Sequence, residues 1–160
     1  MALREIVTVG SQDEKLLRKK CREVSEIDDR IRALLDDMTE TMRFEGRGVG
    51  LAAPQVGVLR RIFVADVGDE SGLHEFINPE ITERVGEVLS SEGCLSIPGN
   101  TGNVLRPEKV KIKALNRSGQ SFVLEAEGFL AVCICHEYDH LDGILYTDKL
   151  VEEDESTKSE

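Results

Sequence analysis

The segment His136-Glu137-Tyr138-Asp139-His140 restricts this chain more than any other stretch. It lies within FLAVCICHEYDHLDG, where helical periodicity begins after Gly128 and can run about three to four turns before Gly143 stops it. Two histidines four apart on a helix differ by only ~40° in direction and ~6 Å along the axis. Both imidazoles can therefore reach one metal ion. Glu137 can bring its carboxylate to a water on that ion without being a ligand itself. An amphipathic helix with two surface histidines is the plainer reading, but the pattern is rare by chance in a chain with three His.

A catalytic metal site needs a third protein ligand and one open position. The candidates are His74, Cys94, Cys133 and Cys135. Cys133 shares the face of His136 but lies about 10.5 Å along the helix from His140. Zn–S and Zn–N bonds of about 2.3 and 2.1 Å do not readily span that. Cys135 points about 100° away from His136. The two thiols of the C-x-C point to nearly opposite faces, which argues against a dithiol redox pair. Cys94 sits in SSEGCLSIPG, after a strand and among residues that turn the chain. Gly93 permits close backbone approach there, and the Cys94 thiolate can reach the helix from across a cleft. A buried free Cys at a strand end is the bland alternative. A further segment, Gly48-Val49-Gly50-Leu51-Ala52-Ala53-Pro54-Gln55, combines two glycines, two small alanines and a neutral amide. Gln55 can face developing negative charge, although a tight turn after a helix also accounts for the segment.

The rest of the chain supplies a scaffold. Ile31, Leu34, Leu35, Met38 and Met42 keep one helix face; Asp28 or Asp29 can cap its start and Gly46 can close its end. A shorter helical stretch is expected over 14–22. Strand-like runs cover 62–67, where the compact apolar residues are expected to be covered on both faces, 75–81 and 87–89. VKIKALNRSGQSFVLEA reads as a hairpin turning at Ser118-Gly119, with Val110, Ile112 and Ala114 alternating against lysines. Helix, strands, hairpin, helix is an α+β order. The 160 residues fit one domain over 1–150, followed by an acidic tail over 151–160 that holds five acids and one Lys. The net charge of −11 argues against nonspecific nucleic-acid binding. No apolar run approaches the ~20 residues of a membrane span. MALREIVTVG lacks the features of a signal peptide, so a cytoplasmic location is expected and the four Cys do not suggest disulfides.

GVGLAAPQ, EGCLS and HEYDH, in that order, resemble the three signature motifs of the peptide deformylases. The likeness runs from the N-terminal helical region to HLDGILYTDKL, and the length is similar to that of the short bacterial-type enzymes. It implies antiparallel or mixed sheets packed around the C-terminal HExxH helix, and removal of the formyl group from the N-terminal Met of new proteins, releasing formate. The family implies Cys94, His136 and His140 as metal ligands and Glu137 as proton shuttle. It implies the Gln55 side chain and the Leu95 N–H as oxyanion donors. Gly50 and Gly93 would lie along the substrate backbone. Helix geometry puts Phe129, Val132 and Cys133 near the face of His136; with Val49 they match the family's slot for the Met side chain, unless they are simply core. Fe2+ is the expected ion in the cell, with Zn2+, Ni2+ or Co2+ able to take the same place. N-formylmethionyl peptides are the implied partners. Transient ribosome association is compatible with the sequence, although the acidic C-terminus makes direct RNA contact unfavourable.

The chain departs from the family at Cys135, where Gln is common, and at Thr101, where some relatives carry a larger side chain. The first change is expected to alter packing, with oxidative sensitivity as a side effect. The second is expected to alter how residues beyond Met are held. Glu92 and Arg106 match a structural ion pair of the family. Two rivals stand beside this reading. A zinc peptidase of the HExxH kind would often take its third ligand downstream; no His or Cys follows His140, although the acids Asp142, Asp148 and Glu152 do. A non-catalytic relative would need neither Glu137 nor Gln55.

Overall fold

The computed structural model describes residues 2–46 and 49–151. Gly48 and nearly all of the acidic tail therefore lie outside the described residues. Helix α1 spans Asp29–Phe44, and Asp28 caps it by accepting from the N–H groups of Arg30 and Ile31. Five strands form an antiparallel sheet in the order β1-β2-β3-β6-β7: β1 Gly50–Ala52, β2 Ile62–Ala65, β3 His74–Val85, β6 Lys109–Leu115 and β7 Ser121–Glu127. Strands β4 Val88–Cys94 and β5 Ile97–Arg106 form a separate two-stranded ribbon. Helix α2 spans Phe129–His140. This is the α+β arrangement expected from the order of elements.

The period-two alternation of the strands divides the core. Phe63 and Ala65 of β2 join Ala52, Phe76 and the α2 residues Leu130, Ala131 and Ile134 on one face of the sheet. Ile62 and Val64 join Leu51, Ile77 and the α1 residues Leu34, Leu35, Met38 and Met42 on the other. All four residues of β2 are consequently buried, as a strand covered on both faces must be. A third cluster, with Leu17, Ile97, Val104, Leu145 and Tyr146, lies under the ribbon. Helix α2 is buried around most of its circumference, which explains why its apolar residues show no single stripe.

Three local expectations need correction. The helical stretch over 14–22 contracts to a 3-10 turn, Glu14–Arg18, because the next backbone groups pair elsewhere: Cys21 N–H bonds the Leu141 carbonyl and Arg22 N–H that of Leu59. The run over 87–89 is the start of the longer β4, held in register by β5. The run over 62–67 stops at Ala65, and Asp66 N–H bonds the Val49 carbonyl outside the strand.

Candidate metal and hydrolytic site

Helix α2 delivers His136 and His140 in its last two turns, with ring centroids 5.1 Å apart. The β4–β5 ribbon delivers Cys94 at the end of β4, next to the two-residue turn Leu95-Ser96. The ligand atoms of Cys94, His136 and His140 all lie within 4.8 Å of one another. Cys94 Sγ stands 3.4 Å from His140 Nε2, close to the separation of about 3.4–3.6 Å that neighbouring ligands have in a tetrahedral site. One thiol and two imidazoles suit a borderline divalent cation. Such a group fits these residues.

The surroundings prepare the ligands. Glu92, buried on β4, takes the Nδ1–H of His136 at 2.8 Å. A carboxylate only accepts, so this bond fixes the tautomer and leaves His136 Nε2 free to ligate. Arg106 grips both oxygens of Glu92 at 2.8 Å and reaches Asp139 at 2.7 Å. Lys149 adds a second cation on Asp139 at 3.0 Å. Burial raises the Glu92 pKa, but the Arg106 and His136 bonds outweigh it and bring it down to about 2. Burial and the adjacent His136 hold His140 well below the ordinary imidazole range, which favours the neutral, ligating form. Burial likewise opposes charge on His136. Glu137, Cys94 and Glu92 outweigh it and push that pKa up to about 10, a proton that a cation on Nε2 would displace.

Glu137 is buried on the same helix. Among the described residues its Oε1 has no hydrogen-bond partner. Burial, with the charge of Glu92 adding and His136 opposing, pushes its carboxyl up to about 7. A Cβ on Gly50 would meet Glu137 Oε2 at 2.7 Å and Cys133 Sγ at 2.9 Å, so the carboxylate occupies the space beside the bare Cα of Gly50. Gln55, only 1 % exposed, sits in the 3-10 turn after β1. Its Oε1 accepts from Ala52 N–H at 2.9 Å, and its Nε2 donates to Ser96 Oγ at 3.1 Å and Cys94 Sγ at 3.4 Å. Leu95 follows Cys94 in the turn, and Gly93 is exposed beside it.

Of the residues expected to line the Met slot, Cys133 donates its S–H to the Val49 carbonyl at 3.3 Å. Val132 is only 6 % exposed yet belongs to none of the three hydrophobic clusters, whereas Phe129 is 56 % exposed at the start of α2. His74 is remote from the ligand group and bonds Ser71. Cys135 is buried in the core, where burial pushes its thiol up to about 11. The thiolate needed for ready oxidation is thus disfavoured, contrary to the expected sensitivity. Thr101 lies on β5, where its methyl would be 3.7 Å from a Cβ placed on Gly93. The sequence did not single out Ser96, or Tyr146, whose ring stacks on His136 with centroids 6.1 Å apart. The signal for Ser96 was its place two residues after the thiol.

The comparisons with known proteins agree. A family model described as polypeptide deformylase matches residues 3–156. The "Peptide deformylase 1" of Clostridium perfringens is 59% identical over 136 residues, covering 85% of this chain and 92% of its own. The peptide deformylase of Acetivibrio thermocellus is 56% identical over 151 residues, covering 94% and 85%. Among solved structures, the Thermotoga maritima peptide deformylase superposes with a TM-score of 0.88 at 37% identity, covering 95% of this chain and all (100%) of its own. The Synechococcus elongatus enzyme, solved in complex with actinonin, gives 0.85 at 38% identity, covering 93% and 79%. With the thiol, the imidazole pair and the buried carboxylate on one side and matches over nearly the whole chain on the other, the protein is a member of the polypeptide deformylase family.

Proposed function

We propose that this chain removes the formyl group from N-formylmethionyl peptides, with Cys94, His136 and His140 holding one divalent cation. The observation that carries the reading is the convergence of one thiol and two imidazoles beside the buried Glu137 carboxylate, whose Oε1 has no hydrogen-bond partner among the described residues. The cation supplies Lewis acidity, which brings the pKa of water close to neutrality. Glu137 takes the proton of the attacking water and later gives it to the leaving amine, freeing formate and the new N-terminus. The Gln55 amide and the Leu95 N–H donate to the oxyanion that develops on the formyl oxygen. Gly50 and Gly93 flank the substrate backbone, and Val49, Phe129, Val132 and Cys133 line the slot for the Met side chain.

Fe2+ is the cation proposed for the cell, with Zn2+, Ni2+ or Co2+ compatible with the same donors. Residues 1–150 act as one catalytic domain with 151–160 as its tail. The protein works in the cytoplasm and meets nascent chains, with transient ribosome association through a protein partner or a surface other than the tail. Among the described residues no helix is long and apolar enough to cross a membrane. The test is release of formate from a formyl-Met tripeptide under anaerobic conditions, with Glu137→Ala beside it. The variant should keep its metal and lose about 10²–10⁴-fold in turnover; near-wild-type turnover would reject the role. Cleavage of a blocked, unformylated peptide without formate release would favour the peptidase instead.

A further inference from the structure

The Gln55 amide is held at all of its ends. Ala52 N–H donates to Oε1, which identifies the oxygen and forces the NH2 group toward the ribbon turn. That group has two hydrogens about 120° apart. One goes to Ser96 Oγ at 3.1 Å and the other to Cys94 Sγ at 3.4 Å. The second bond is the weaker kind, to sulfur, and it points where the ligands converge. Ser96 itself is 0% exposed. It is further fixed through its backbone, because Val9 N–H donates to the Ser96 carbonyl at 2.8 Å. Two residues earlier, Val7 N–H donates to the Gln55 carbonyl at 2.7 Å. The N-terminal segment thus ties the loop carrying Gln55 to the turn carrying Leu95 and Ser96.

We propose that Ser96 is a positioning residue: its hydroxyl takes one amide hydrogen of Gln55 so that the other stays directed beside Cys94, where the oxyanion forms, while Val7 and Val9 hold the two loops in register. The proposal rests on Gln55 acting as an oxyanion donor. An amide tethered in this way needs no rearrangement as charge develops, which is the condition under which such donors are effective. Without the hydroxyl the amide keeps the Ala52 tether but loses one of its anchors and can tilt about its terminal torsion within that tether, so the loss falls on the transition state rather than on substrate binding.

The experiment is a double-mutant cycle of Ser96→Ala and Gln55→Ala in Co2+-loaded protein. It reads kcat and KM for a formyl-Met tripeptide, thermal midpoint, metal content and the thiolate-to-cobalt absorption. Ser96→Ala should lower kcat about 10-fold, the size of one lost neutral hydrogen bond, with KM within about twofold and metal content unchanged. The thiolate absorption should shift, because Gln55 is no longer held against the sulfur. In the Gln55→Ala background Ser96→Ala should cost less than about twofold. Ser96→Thr, which keeps the hydroxyl, should recover most of the rate. Additive losses, or a wild-type kcat for Ser96→Ala, would overturn the proposal, as would a Ser96→Ala chain that does not fold or a folded Ser96→Thr as slow as alanine. A wild-type kcat for Gln55→Ala would instead bring down the oxyanion reading beneath it.

Discussion

At Gly50 the argument is one of space. A methyl added to its Cα would meet the Glu137 carboxylate and the Cys133 thiol at once and must displace both. Both belong to the buried interior of α2 and have little room to yield. Gly50→Ala is therefore expected to lower kcat by about 10-fold or more while metal content is retained, since a small misplacement of Glu137, the proposed proton-transfer group, is costly. Steady-state kinetics with elemental analysis checks this, and an unchanged kcat would show that Glu137 can shift freely. The sequence revealed Gly50 as a place of close approach, but not which group approaches it, because the neighbour lies more than eighty residues away. Cys94 was easier to read. Helix geometry alone counted against Cys133 and Cys135, and the structure assembles Cys94 with both histidines. Ser96 stayed hidden because its role depends on which way a distant amide points.

At the scale of elements, α2 and the ribbon must be held together for the proposed ligand set, since each carries part of it. Arg106 on β5 does this by bonding Glu92 on β4 and Asp139 on α2, all of them buried. Removing one member leaves buried charge uncompensated, which costs about 3–5 kcal/mol. Arg106→Met should therefore lower stability in that range. It should also weaken metal binding about 10–100-fold through the loss of a fixed His136 tautomer. Denaturant unfolding and metal competition measure the two effects, and a variant as stable as wild type would contradict the account.

The C-terminal end of α2 is equally constrained. Gly143 has φ +74°, and a Cβ there would run into the Arg18 backbone carbonyl. Gly143→Ala should cost about 2 kcal/mol or more from the left-handed backbone and the backbone clash together, read as a lower denaturation midpoint at constant slope. Helix α1 was legible from apolar spacing and end signals, and α2 from the glycines that bound it and the H-E-x-x-H pattern between them. Strand β5 was not legible, because Pro98, Gly99, Asn100, Gly102 and Asn103 are turn-forming residues; of these, Gly102 and Asn103 are held in the ladder by pairing with Glu92 and Ser91 of β4. Strand β1 has three residues, too few to show a period.

For the whole molecule, two buried carboxyls pull stability in opposite directions with pH. Glu92 is lowered from 4.5 to about 2, so its contribution is present above about pH 4.5 and is lost as pH falls toward 2. Glu137 is raised from 4.5 to about 7, so its protonated form favours the fold below about 4.5 and that contribution is lost as pH rises through 7. Thermal midpoints across this range should drop below pH 4.5, and Glu92→Gln should flatten that drop. An equally steep acid limb in the variant would assign the drop to other groups. The order of elements alone pointed to the α+β class, and the compact apolar run at 62–65 pointed to a strand covered on both faces, as β2 is; which helix covers each face depends on the pairing of distant strands.

The central claim is that one thiol and two imidazoles share a single divalent cation. X-ray absorption at the metal edge of protein loaded with one equivalent of Zn2+ tests it most directly. The prediction is one sulfur at about 2.3 Å with nitrogen and oxygen at about 2.0–2.1 Å, the sulfur vanishing in Cys94→Ala. A coordination shell without sulfur in the wild-type protein, or one unchanged by that substitution, would contradict it.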